Sequence, residues 1–327
     1  MELFREILSI DSTSGREREM GLWLASHLQA QSVQTFEVGD GTVNVLLSWG
    51  TPKVVFCTHM DTVPPYIPPT FEDDRVCGRG SCDAKGQIFA MYKACLKLAG
   101  AGRDGFGLLI LSGEETGSFG AKSFAKEAFR APVLVVGEPT EGKMVSATKG
   151  TKSFALTFTG QPFHSGYPER GVSAVDLFLD FMDRLRAEHF PEDEVLGSTT
   201  FNVGELVSDN PQNILSPSLS CRIYFRTTFA SDGAVCRWMR SQAGPSLKIE
   251  ERGGDTPAKY LTLPGFPSGI VSFGSDAPHL SNFERKIICG PGSINFAHRS
   301  DEHILISELE EAVDTYVRIF ETIDNER

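Results

Sequence analysis

Four apolar runs in this 327-residue chain each lead into a loop that carries side chains able to do metal or acid–base chemistry. His59 and Asp61 follow Val54–Thr58. Ser112-Gly113-Glu114-Glu115 follows Phe106–Leu111, and Gly137-Glu138 follows Val133–Val136. The loop Gly290-Pro-Gly-Ser-Ile-Asn-Phe-Ala-His298 follows Lys286–Cys289. Asp83 lies between the first two, at the mouth of a helix predicted over Gln87–Ala99. Short continuous apolar runs rich in β-branched residues read as buried strands. Residues two apart on a strand share a face. His59 and Asp61 therefore project together from a strand's C-terminal end, where open α/β sheets place their sites.

Imidazoles and carboxylates gathered at one sheet edge repel or require desolvation unless a cation sits among them. Such donors without thiolate suit zinc, and also cobalt or manganese. Two histidines and three carboxylates are enough for two ions, each with one imidazole, one terminal carboxylate and a share of a bridging one. Two ions about 3.5–4 Å apart lower the pKa of a shared water toward about 7. A further carboxylate must then take the proton and pass it to the leaving group. The Glu114-Glu115 pair supplies both roles if one side chain ligates and its neighbour does not.

The elements around these residues read as two textures. Helices are predicted over Glu2–Ile10, from about Glu17 to Gln31 with Ser14 as a cap, and over Gln87–Ala99. Strands are predicted over Val33–Glu37, Asn44–Ser48 and the apolar runs above. This alternation implies a largely parallel sheet with helices on its faces. From Gly150 the pattern alternates apolar and polar: Ser153–Thr159, Phe201–Val207, Leu219–Thr228 and Ser246–Glu251 as strands, with helices over Gly171–Glu188 and Asp232–Gln242. That order, β-α-β-β-α-β, is the split pattern of a ferredoxin-like layer. After the linker Gly253–Pro264 the first texture resumes, with strands at Gly269–Phe273 and Lys286–Cys289 and a closing helix over Ser307–Ile323. The expected fold is α/β: a doubly wound, mostly parallel catalytic domain (residues 1–149 and 259–327) with an inserted ferredoxin-like α+β domain (150–258).

A net charge of −12 argues against nucleic acid and anionic membrane as partners. Seven cysteines, an odd number with no Cys-x-x-Cys, suit buried reduced thiols in a cytoplasmic protein. The charged, amphipathic N-terminus is unlike a secretion signal, and no apolar run approaches a membrane span of about 20 residues.

Five segments, taken together, resemble the M20 family of dinuclear-zinc amidohydrolases: His-Met-Asp-Thr-Val (59–63), Gly-Arg-Gly-Ser-Cys-Asp-Ala-Lys-Gly (78–86), Gly-Glu-Glu-Thr-Gly (113–117), Gly-Glu-Pro-Thr (137–140) and the 290–298 loop. They fall in family order and span most of the chain. The resemblance implies two Zn2+ ions, one held by His59 and Glu138, the other by Glu115 and His298, with Asp83 between them. Asp61 would orient His59, and Glu114 would be general base and then acid. His164 matches a histidine that in the family reaches a partner subunit's site and polarises the scissile carbonyl, so the inserted domain is expected to act as a lid and to form a homodimer. Arg226 would pair with a substrate α-carboxylate, with Asn213 nearby. Here the family often has Asp two residues before the arginine where this chain has Tyr224, and Pro217 comes one place late. The 290–298 loop, including Gly292, has backbone N–H groups to offer a substrate carboxylate. His27, His189, His279 and His303 are expected to be structural or at the surface. Within the family, the 290–298 loop followed by Asp301-Glu302 is most similar to acetylornithine deacetylase and the succinyl-diaminopimelate desuccinylase type. The expected reaction is amide hydrolysis of a small N-acylated amino acid, ornithine- or lysine-like, in arginine or lysine biosynthesis. A dinuclear dipeptidase or aminopeptidase is the rival, and a non-catalytic amino-acid-binding descendant a remote one.

Overall fold

The computed structural model describes residues 1–326. The chain divides into two compact units. The first comprises Met1–Ser146, Tyr260–Gly269 and the chain from Ser275 onward; the second comprises Ala147–Lys259 with Ile270–Gly274. The short return at 270–274, which the sequence reading left in the first domain, thus belongs with the second unit.

The first unit is built on a six-stranded sheet in the order Ser32–Gly39, Thr42–Trp49, Phe106–Leu111, Val54–His59, Ala131–Val136, Phe283–Ile288. The last four are mutually parallel, and Thr42–Trp49 runs antiparallel to both its neighbours. The sheet is therefore mixed. Every residue of Val54–His59 and of Phe106–Leu111 is buried. Strands covered on both faces need apolar side chains on both, which explains why these runs do not alternate.

Helices Lys85–Gly100 and Ile306–Asn325 pack together and, with Glu2–Ser9, contribute to one core with the sheet. In the last helix Leu309, Ala312, Tyr316, Ile319, Phe320 and Ile323 are buried, the three-and-four spacing of one helical face. Burying each large apolar side chain contributes about 1.5–3 kcal/mol. Its start is fixed by Glu308, whose carboxylate accepts the Leu305 N–H at 3.0 Å.

The second unit has the order strand Gly150–Thr159, helix Ala174–Ala187, strands Thr200–Val207 and Ser218–Thr227, helix Asp232–Ser241, strand Leu247–Glu251. Its antiparallel sheet runs Thr200–Val207, Ser218–Thr227, Gly150–Thr159, Leu247–Glu251. Strand Ser218–Thr227 alternates buried and exposed residues, as a sheet with one covered face requires. Its core includes Phe154, Phe158, Phe181 and Phe225.

Several boundaries move. The second helix is Glu17–His27 and does not reach Gln31. Ser14 does not cap it: no side chain caps that helix, and the Ser14 hydroxyl lies 3.4 Å from Asp61 Oδ2. His303 sits on a short strand, His303–Leu305, which pairs with Arg75–Cys77 and leads directly into the last helix at Ile306. Periodicity does not reveal that strand or Arg75–Cys77, because three residues are too few to show alternation. Among the described residues no helix is long and apolar enough to cross a membrane.

Candidate metal centre

All four parallel strands of the first unit end beside the same cluster. His59 is the last residue of its strand. Ladder-like bonds continue past the strand ends: Met60 N–H to Leu111 O at 2.7 Å, Gly137 N–H to Cys57 O at 2.8 Å, Cys289 N–H to Val136 O at 2.9 Å. The loops carrying Glu114, Glu138 and Gly290 are thereby held in register at one sheet edge.

His59, Asp83 and Glu115 each direct a ligand atom to one point, all within 4.8 Å of one another. His59 Nε2 lies 3.1 Å from Asp83 Oδ1. His298 Nε2 lies 3.0 Å from Glu115 Oε1 and 3.4 Å from Asp83 Oδ2, so Asp83 stands between the two imidazoles. His59 is buried, whereas the His298 side chain is half exposed and sits in the left-handed region at φ 63°. Glu138 is buried and its Oε1 has no hydrogen-bond partner among the described residues.

Asp61 organises the neighbours. Its Oδ1 accepts the Glu114 N–H at 3.0 Å and its Oδ2 accepts the Glu115 N–H at 3.1 Å. The His59 Nδ1 lies 2.9 Å from Asp61 O and 3.4 Å from Asp61 Oδ1, leaving Nε2 facing Asp83. This is the backing that a metal-ligating imidazole needs.

Charge follows from this geometry. Burial opposes the charged form of Asp83, but hydrogen bonds from His298 and His59 hold its carboxyl well below the usual range. Burial likewise opposes the His59 imidazolium, yet Asp61 and Asp83 push its pKa well above the ordinary value. His298 is pushed up to about 10 by its bonds to Asp83 and Glu115. Burial raises Glu138 well above the carboxylate range, and Glu114 adds to this. Glu114 is also raised well above that range by burial, against the pull of His59 and with Asp276, Glu115 and Asp83 pushing further. An orphaned carboxylate oxygen, an anion held between two imidazoles and a thiolate-free donor set fit a divalent cation.

Sequence-predicted residues divide between the units. His59, Asp61, Asp83, Glu114, Glu115, Glu138 and His298 come together in the first. The Gly290 N–H is taken by Thr140 Oγ1 at 3.0 Å, and Gly292, at φ 77°, packs so close to Cys82 that a Cβ there would stand 2.6 Å from Sγ. His164, Asn213 and Arg226 lie in the second unit. There His164 pairs with Ile214, and Ser165 N–H donates to Asn213 O at 2.9 Å. The Arg226 guanidinium lies 5.0 Å from the Tyr224 ring centroid, stacking where the family often places an acid.

Other residues of the site carry no motif recognised in the sequence. Buried Asn44 accepts the Ser112 N–H and donates to Gly120 O at 2.9 Å, pinning both ends of the Glu114 loop. Asp276 is buried, and its oxygens receive no hydrogen bond of good geometry. Burial pushes its carboxyl up to about 6, against the pull of His59 and Ser118. Its signal was available: Gly274-Ser275-Asp276, polar residues shortly after an apolar strand, the same pattern as the ligands. Cys57 and Cys82 are buried, and Cys77 is half-buried.

Comparison with known proteins identifies the family. The family model for peptidase family M20/M25/M40 matches residues 55–322. A peptidase M20 domain-containing protein of Schizosaccharomyces pombe is 32% identical over 98% of this chain and 83% of its own length. A probable carboxypeptidase of Aspergillus niger is 31% identical over 98% of this chain and 89% of its own. Among solved structures, a Staphylococcus aureus tripeptidase superposes with a TM-score of 0.81 at 20% identity, covering 97% of this chain and 96% of that one. An M20 family metallo-carboxypeptidase of Sulfolobus solfataricus gives 0.72 at 16% identity over 98% of both. With the family model spanning most of the chain and the donor cluster built from the segments it covers, this protein belongs to peptidase family M20/M25/M40.

Proposed function

We propose that the protein is a dinuclear zinc hydrolase that cleaves the amide bond of small N-acylated amino acids, with cobalt or manganese as possible substitutes. The observation that carries the reading is the pair Glu114 and Glu115, both hung by their backbone N–H groups on Asp61. Glu115 is drawn to His298, and Glu114 is left as a carboxyl beside the cluster with a raised pKa. His59 and Glu138 would hold one cation, Glu115 and His298 the other, with Asp83 shared. Bound cations supply Lewis-acid polarisation of the amide carbonyl and acidify water. Glu114 accepts the water's proton and returns it to the departing amine, a task that suits a carboxyl whose proton affinity burial raises above that of an ordinary carboxylate. Asp61 keeps His59 in the tautomer that exposes Nε2. In the second unit, Arg226 is the proposed partner of the substrate's α-carboxylate and His164 the proposed donor to the oxyanion, in a homodimer.

A second reading is favoured by the names of the relatives, several of which are probable carboxypeptidases of Aspergillus species. A C-terminal peptide bond is itself the amide of an N-acylated amino acid with a free carboxylate, so the same residues serve both. Turnover by the zinc-loaded protein separates them. One set of substrates is acetyl-, succinyl- and carbamoyl-ornithine, -lysine, -citrulline and -diaminopimelate. The others are N-blocked dipeptides, free di- and tripeptides, and C-amidated controls. Deacylase activity appears in the first set and carboxypeptidase activity in N-blocked dipeptides, with amidated controls inert in both cases. Equal turnover of amidated substrates removes the carboxylate requirement. No turnover of any amide, with zinc bound, overturns the hydrolase reading.

A further inference from the structure

Asp83 lies in a loop, Gly78–Ala84, between the Arg75–Cys77 strand and the Lys85–Gly100 helix, and three backbone N–H groups of that loop converge on one atom. Gly80, Cys82 and Asp83 donate to Glu302 Oε1 at 2.9, 3.2 and 3.1 Å. The other oxygen of Glu302 takes Arg79 Nη1 at 2.5 Å. Gly78 N–H donates to the Glu302 carbonyl at 2.9 Å. Both side chains are buried, Glu302 at 1% and Arg79 at 3% exposure. The same Arg79 Nη1 also donates to Arg299 O at 3.2 Å, the carbonyl next in the chain to His298. His298 holds a left-handed backbone that a non-glycine residue adopts only when its surroundings impose it.

We propose that the buried Glu302–Arg79 pair is a positioning device that sets the spacing between Asp83 and His298, and so the occupancy of the cation site formed by His298 and Glu115. Asp83 and His298 are 215 positions apart in sequence and lie on separate loops. Glu302 fixes the first loop by its backbone, with Asp83's own N–H among the bonds. Arg79 reaches from that loop to the second at the residue beside His298. His59 and Glu138, by contrast, stand on or beside strand ends already held by the sheet. The pair thus acts on the side of the cluster that the sheet does not hold. Among the described residues neither side chain hydrogen-bonds to the side chain of Asp83 or His298, so neither is a ligand or a catalytic group.

The inference rests on the metal-centre reading, and the experiment separates the two. Metal-free wild type, Glu302→Gln and Arg79→Lys are titrated with zinc against a competing chelator. Far-UV circular dichroism and Tm of the metal-free forms establish folding, and the visible absorption of the cobalt-loaded forms reports ligand geometry. Glutamine keeps an oxygen for the three N–H groups but turns an amide N–H2 toward Arg79. Lysine keeps the charge but loses the Nε–H that donates to Pro65 O at 3.3 Å, so its lone ammonium is no longer held in the plane that aims Arg79 Nη1 at Glu302 and Arg299 O. Loss of a partner outside the ligand shell typically costs 10–100-fold in metal affinity. Expected, therefore, is a 10–100-fold weaker second zinc in Arg79→Lys, with the first site within about threefold of wild type and the cobalt spectrum altered. Glu302→Gln, acting on the shared Asp83, weakens both sites. Folded variants with two unchanged zinc affinities and an unchanged cobalt spectrum overturn the proposal. Wild type that binds no pair of divalent ions overturns the metal-centre reading itself, and the proposal with it.

Discussion

Filling the cluster with zinc must expel protons, and the number can be worked out from the geometry. A ligating imidazole is neutral, yet in the metal-free protein both histidines face carboxylates: His59 Nε2 at 3.1 Å from Asp83, His298 Nε2 at 3.0 Å from Glu115. His298 is pushed up to about 10, so at pH 7 more than about 99% of it carries the extra proton. Its ring is half exposed, and water screens such pairs. Screening weakens the rise without reversing its direction, so the imidazolium remains the main form at pH 7. The count of one proton from His298 is therefore insensitive to the strength of the pairing. His59, also raised, releases a second. Glu138, raised by burial, adds up to a third, whereas Asp83 is already ionised and adds none. Isothermal titration of metal-free protein with zinc in phosphate, Hepes and Tris at pH 7 measures this directly. The observed enthalpy plotted against buffer ionisation enthalpy has a slope equal to the protons released. Wild type should give between two and three, and His298→Asn about one fewer. It follows that zinc affinity rises with pH through the neutral range. A slope near zero, or one that His298→Asn leaves unchanged, refutes the reasoning, because the imidazoles would then be neutral before metal arrives.

The same ion pairs stabilise the metal-free fold. A histidine raised in the folded state contributes stability that is fully present below its ordinary pKa of about 6.5 and is lost as pH climbs toward the folded value. In EDTA, the Tm of wild type should exceed that of His298→Asn at pH 6, and the gap should narrow steadily toward pH 10; a gap that widens over this range contradicts the assigned pairs. Glu114→Gln should lower kcat by about 10²–10⁴-fold while zinc content stays at the wild-type level, since it removes a proton carrier and no ligand. Wild-type turnover in that variant would assign the base elsewhere. Gly290→Ala places a Cβ 2.3 Å from Gln87 Oε1 and 2.6 Å from Glu138 O. Gln87 cannot swing aside cheaply, because its Nε2 donates to Pro291 O at 2.9 Å and its Oε1 lies 3.0 Å from the Tyr316 hydroxyl. The expected cost is about 1–3 kcal/mol in a denaturant titration. Gly244→Ala, with nothing within 4 Å of the new Cβ, serves as the control and should be nearly neutral.

The ligands were legible in the sequence for a physical reason. A parallel strand buried on both faces must be apolar throughout, so it stands out as an unbroken run, and the polar residue that ends it stands out equally. His59, Glu114-Glu115 and Glu138 all sit at such breaks. Asp83 and His298 do not, since each lies on a loop: Asp83 falls between two of the runs, and His298 comes nine residues after the end of Lys286–Cys289. The antiparallel edge was partly legible: Thr42–Trp49 reads as a strand, but nothing in its residues reports direction. The second unit's order was readable because its strands have one wet face and therefore alternate.

Residues that support the site through single contacts across long sequence distances were not legible. Asn44 acts on a loop 68–76 positions away, and Glu302 on one about 220 away. Their side chains are ordinary in type, and their neighbours in sequence have no bearing on the role. Glu302 in particular enters the sequence reading only as half of the Asp301-Glu302 pair that carries the family resemblance, whereas in the structure the two residues do opposite things. Asp301 is exposed and paired with Arg299 at 2.7 Å. Glu302 is buried and gathers three N–H groups and a guanidinium around itself. A buried carboxylate costs several kcal/mol to desolvate and persists only where its partners offset that cost. A well-partnered buried carboxylate on a loop that already carries a metal ligand is thus strong physical evidence of positioning, and it becomes visible only once the chain is folded.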